Sequence, residues 1–137
     1  MNSFTRTVDM LHRGMNVNSL RYSISANNLA NAEVPNFKRT SVAFESELRK
    51  AIESEKNAKD VFQLKVTDPR HIQSEGPRDY RTVEARRVLD YTTASKANGN
   101  NVDAEQEAME ILKIQLSYQL LSQLQAFEFQ QMYTVLK

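Results

Sequence analysis

The chain contains no cysteine. That excludes disulfides, thiolate metal sites and a cysteine nucleophile, and it is compatible with any compartment, an oxidising one included. Proline occurs only at positions 35, 69 and 77, and glycine only three times, so both ends are free of the residue that breaks helices. An excess of either charge is missing too. Lys plus Arg total 18 against 17 Asp plus Glu, which leaves no global footprint for nucleic acid or an anionic membrane surface. No apolar run approaches the roughly 20 residues that a membrane-spanning helix needs. Thr5, Arg6, Thr7, Asp9, His12 and Arg13 interrupt any apolar leader, so the chain is expected to be cytosolic or exported without a cleaved signal peptide.

What is present is helical pattern at both ends of a 137-residue chain. Residues 3 to about 33 carry helical periodicity and stop at Pro35, which biases Val34 away from helical torsions. From about residue 102 to 136 neither Gly nor Pro occurs. Asp103 is placed to cap that second helix, with Gln106 as the returning partner of a capping box. Glu105, Glu107 and Glu110 in its first turns and Lys137 at its end suit the helix dipole. Between the ends, residues 41 to 56 read as a short amphipathic helix with Phe44, Leu48 and Ile52 on one side. Residues 61 to 66 alternate and read as a strand, residues 78 to 91 as strand or extended loop, and residues 96 to 101 as a turn. The expected architecture is mainly α. An elongated pair of terminal helices, 1–35 together with 100–137, forms a discontinuous core domain, and 36–99 form a small α/β middle region.

Each end helix carries two apolar stripes when residues are placed about 100° apart around the axis. In the C-terminal helix Met109, Leu112, Leu116, Leu120, Leu124 and Phe127 make the first. Ile111, Ile114, Tyr118, Leu121, Phe129, Met132 and Leu136 make the second, roughly opposite. In the N-terminal helix Phe4, Val8, Leu11, Met15 and Tyr22 face one way, and Met10, Val17, Leu20 and Ile24 the other. A helix on the surface of an ordinary globule needs one stripe only, so two stripes imply contact on two sides. The helices, about 45 and 50 Å long, also overrun the roughly 35–40 Å diameter of a compact chain of this size. Leu20, Ile24, Ile114, Tyr118, Leu121, Phe129 and Met132 are the expected subunit-contact residues.

Asn27, Asn28 and Asn31 follow Leu20 and Ile24 where apolar residues would continue the helix. Asn is a mediocre helix former, and a packed amide finds partners in one alignment only. These three are therefore expected to set register, against neighbouring chains or against the chain's own loop.

The residues S-A-N-N-L-A-N-A, followed by Pro35, Phe37 and Lys38, resemble the N-terminal signature of the bacterial flagellar axial proteins, the rod and hook subunits. Gly99, Asn100, Asn101 and Asp103, within G-N-N-V-D-A-E-Q-E (99–107), resemble the proximal rod family in particular, and T-D-P-R-H-I (67–72) is similar to a mid-chain segment of small rod proteins. The resemblance spans both ends and one middle segment. Val34 and Asn36 stand where that superfamily usually has Thr and Gly; Asn tolerates positive φ, so the turn is expected to survive. The resemblance implies a structural subunit of the periplasm-spanning basal-body rod, exported by the flagellar type III apparatus and stacked helically around a narrow channel to carry torque to the hook. The implied partners are other copies of itself, other rod proteins, and membrane-ring and rod-adaptor proteins.

Catalytic signals are weak. No G-x-S-x-G, P-loop or H-E-x-x-H occurs. His12 and His71 are the only histidines, and neither has further ligands at metal-binding spacing. Neither catalytic, cofactor-binding nor metal residues are expected, nor a small-molecule substrate or nucleic acid. Arg78, Arg81, Arg86 and Arg87 alternate with Asp79, Glu84 and Asp90, which suits pairing across subunits better than phosphate binding. Tyr118, Phe127, Phe129 and Tyr133 read as core or interface. The competing reading is a soluble cytosolic helical adaptor or regulator. It would show full-length protease protection and sharp melting, where a lone rod subunit would have mobile ends.

Overall fold

The computed structural model describes residues 2–58, 68, 70, 76–93 and 96–137. The strand expected at 61–66, and most of 67–72 with His71, lie outside them. The described elements run α1 (Ser3–Ala30), β1 (Thr40–Ala43), α2 (Glu45–Asn57), a single 3-10 turn (Tyr80–Thr82), β2 (Arg86–Leu89) and α3 (Ala104–Val135). No described helix is long and apolar enough to cross a membrane.

The two end helices form where periodicity places them. α1 has 28 residues and α3 has 32, about 42 and 48 Å at 1.5 Å per residue. Asp103 caps α3: its Oδ1 accepts the backbone N–H of Glu105 at 3.0 Å and of Gln106 at 3.3 Å, satisfying two donors that the first turn leaves over. α1 ends a turn earlier than expected, at Asn31, whose N–H donates to the Asn27 and Asn28 carbonyls.

The short helix α2 also differs from expectation. Residues 40–43 are strand, and the helix begins only at Glu45. The β-branched Thr40 and Val42 suit a strand, and a partner strand is at hand. Asp90 N–H donates to Arg39 O and Ser41 Oγ reaches Val88 O. Partner numbers fall as the others rise, so β1 and β2 run antiparallel in a two-stranded ribbon. The 78–91 segment, open between strand and loop by sequence, contains the 3-10 turn and then β2.

By internal contact the chain divides into residues 1–42 with 87–137, and residues 43–86. In the smaller unit Phe44, Ala51, Tyr80 and Val83 are buried. Ser54 Oγ accepts Arg78 N–H at 3.0 Å, and the Arg78 guanidinium pairs with Glu47 at 3.1 Å. Lys50 and Arg78 together hold the Glu47 carboxyl below its ordinary range. Arg78, one of the four arginines expected to pair across subunits, is thus paired within its own chain.

The larger unit is the α1–α3 pair. Phe4 meets Phe129 edge to face at 5.7 Å between ring centroids, a Cβ at Gly14 would lie 3.2 Å from Leu121, and Asn18 and Tyr22 line a groove with Ile114 and Tyr118. Low numbers meet high ones, so the helices are antiparallel. The buried side of α1 takes Met15 from one apolar stripe, Val17 and Ile24 from the other, and Asn18 and Ser25 from between them. α1 thus presents the strip between its two stripes. Gly14 on that strip leaves room for Leu121 of α3, with the larger apolar side chains on either side.

Candidate functional site

Two sites stand out in the larger unit: a polar clasp where the two sequence signatures meet, and a helix face that none of the described residues covers.

The clasp begins with the turn that follows α1, whose buried carbonyls need donors. Asn100, fully buried, supplies the answer from the other end of the chain. Its Nδ2 donates to the carbonyls of Asn31 and Ala32 at 3.0 Å each and of Val34 at 2.8 Å, while its Oδ1 accepts Val102 N–H at 2.7 Å. Lys96 Nζ adds a second donor to Ala32 O at 2.7 Å and pairs with Glu33. Asn101 does the same for the ribbon: its Oδ1 accepts Arg39 N–H at 2.6 Å, and its Nδ2 donates to Asp90 O at 2.8 Å. Asn28, also buried, holds Thr40 at both backbone groups, donating to its carbonyl at 2.8 Å and accepting its N–H at 3.1 Å. Below them Arg39 Nε pairs with Glu107 Oε1. Glu107 is wholly buried, and its Oε2 has no hydrogen-bond partner among the described residues.

The turn that carries the first signature survives its departures. Asn36 takes φ 59° in the left-handed region, where the amide side chain makes Asn more tolerant than most residues. Its N–H donates to Asn98 O at 3.0 Å, and Lys38 Nζ reaches Gly99 O at 2.9 Å. Pro35 is exposed and Phe37 half-buried. Gly99 sits at φ +79°, and a Cβ there would lie 2.6 Å from Asn36 Oδ1. Gly99→Ala is therefore expected to destabilise the chain by about 2 kcal/mol through torsional strain plus close contact, read as a lower denaturation midpoint.

Arg39, Asp90, Lys96 and Glu107 are members that the sequence reading missed. Glu107 had looked like an ordinary first-turn acid. The available signal was its position one heptad before Ile114 and two before Leu121, on the face that α3 buries. Asp90 is anchored by Thr93, through its hydroxyl and N–H, and by Thr92, which hold its carboxyl at about 2.

The uncovered face belongs to α3. Ile114 is 4 % exposed, and Leu121 and Met132 are half-buried toward α1. The second stripe is therefore the one the chain uses on itself, with Tyr118 and Phe129 at its exposed margin. Met109, Leu112, Leu116, Leu120, Leu124 and Phe127 of the first stripe are all exposed, Leu116 and Leu120 by 58 and 57 %. Of the expected contact residues on α1, Ile24 and Asn28 are buried, Leu20 and Asn31 half-buried and Asn27 exposed. Asn31 Nδ2 donates to Asn27 O at 2.7 Å. His12 is exposed on α1.

No protein-family profile matches the chain. It is 40 % identical over 137 residues to the flagellar basal body rod protein FlgB of Borreliella burgdorferi, with all of both chains covered. Over the same span it is 38 % identical to the protein of that name from Borrelia hermsii, again with full coverage. To FlgB of Bacillus subtilis it is 28 % identical, covering 99 % of this chain and 97 % of that one. With two sequence signatures folded into one clasp and relatives matched from end to end, the chain belongs to the FlgB family of flagellar basal body rod proteins.

Proposed function

We propose that this structural subunit of the flagellar basal body rod assembles through the uncovered face of α3, packing it against neighbouring rod chains, other copies of itself included. The observation that carries the reading is the row from Met109 to Phe127, apolar along one side of α3 and exposed throughout. Burying the remaining half of one leucine is worth about 1 kcal/mol, so a row of six supplies several. A face used head-to-tail, with a rotation that does not close, builds a helical tube. Such a tube carries torque from the membrane ring to the hook and encloses the export channel through which later subunits pass. At its base it meets membrane-ring and rod-adaptor proteins, and its subunits reach it through the type III export apparatus. Asn27 and Asn31 lie at the end of α1 where an amide contact with a neighbour sets register. The role is structural rather than catalytic.

The test is the pair Leu116→Glu and Leu120→Glu, made together. Since both side chains already face solvent, the isolated chain should melt within about 0.5 kcal/mol of the unaltered one. Cells carrying it should fail to swim, and their basal bodies should lack this subunit. Normal motility would remove the face from assembly. Ile114→Ala, on the covered side, should instead destabilise the isolated chain by about 2–4 kcal/mol.

A further inference from the structure

We propose that Asn98–Gly99 is a site of spontaneous deamidation that the folded clasp holds inert and that reacts when the clasp opens. The Gly99 backbone nitrogen attacks the Asn98 side-chain carbonyl carbon. A new C–N bond closes a five-membered succinimide, and the amide nitrogen leaves as ammonia with the proton that Gly99 gives up. Water then opens the ring at one of its two carbonyls. The product is aspartate or, with the main chain rerouted through the side chain, isoaspartate. Glycine favours the attack because no Cβ shields its nitrogen and its torsions are free.

The pair is exposed at Asn98, and the fold demands its second member, because φ +79° and the nearness of Asn36 leave no room for a side chain at 99. The folded turn ties up both reacting groups. Gly99 N–H donates to Lys96 O at 3.1 Å, and Asn98 Oδ1 accepts Asn100 N–H at 3.1 Å. Asn36 N–H holds Asn98 O, and Lys38 holds Gly99 O. Ring closure requires the Gly99 N–H to leave Lys96 O, and the Asn100 bond restrains the side chain that must turn to meet the nitrogen, so the rate follows the population of opened chains. Either product places a carboxylate where a neutral amide stood. Isoaspartate also lengthens the main chain between the anchors to Asn36 and Lys38, so a chain that stays open is marked and its clasp is impaired.

The test incubates the full chain at one pH and temperature, in native buffer and in guanidinium chloride. Peptide mass spectrometry follows the gain of about one dalton at position 98, and isoaspartate-specific methyl labelling follows the rerouted product. The expected result is reaction at least about tenfold faster in denaturant, abolished by Asn98→Ser. Asn100→Ala in native buffer should react faster than the unaltered chain, and at the denatured rate if it fails to fold. Equal rates in the two buffers, a signal that survives Asn98→Ser, or an Asn100→Ala chain as slow as the unaltered one would each overturn the proposal.

Discussion

Asn100→Ala is expected to lower the folding free energy by about 3 kcal/mol, and Asn100→Asp by more. The alanine chain loses the donor that serves the Asn31, Ala32 and Val34 carbonyls and the acceptor that serves Val102 N–H. A buried polar group left without a partner costs about 1–3 kcal/mol. Two amide hydrogens shared among three carbonyls cannot each count in full, and Lys96 still reaches Ala32. Those two considerations keep the total near the stated figure. Aspartate retains the acceptor for Val102 but turns an oxygen, and charge, toward three carbonyl oxygens. Denaturant melts of both variants, with unchanged slope, decide the matter. An aspartate chain as stable as the alanine chain would show that the amide donors do not hold the turn after α1.

The second large effect is an asymmetry. Arg39→Met should destabilise by about 3–5 kcal/mol and Glu107→Leu by only about 1–2. Removing the arginine strands a carboxylate that has no exposed surface, whereas removing the glutamate leaves a guanidinium that is 28 % exposed and able to reach water. The Arg39 backbone bond to Asn101 is untouched by either change. Making both substitutions together should recover most of the loss, because an apolar pair has no charge to desolvate. Equal single-variant losses, or a double variant as unstable as Arg39→Met, would contradict the view that burial of Glu107 dominates.

The long end helices were legible because their cues are local. Period, the absence of Gly and Pro, and the Asp103 cap act within a few residues of one another, and α3 starts where the cap places it. The boundary between β1 and α2 was not legible. Residues 41–44 satisfy a helical period as well as a strand, and only pairing with β2 separates the two. The asparagines were legible as a problem but not as a solution. Asn28 had the choice of a neighbour or its own loop, and Thr40, distant in sequence, takes both ends of its amide. Glu107 was hidden because its first-turn position already explained an acid there.

By itself the sequence determined the helices, the two apolar stripes on each, and the family, since all three rest on residue type and spacing. Which stripe of α3 turns inward was decided only by tertiary structure. Two stripes of similar greasiness are equivalent on a lone helix. The tie is broken by what α1 offers, a strip where Gly14 admits Leu121 and Asn18 lies beside Ile114, and by Glu107, which must lie on the same side to reach Arg39.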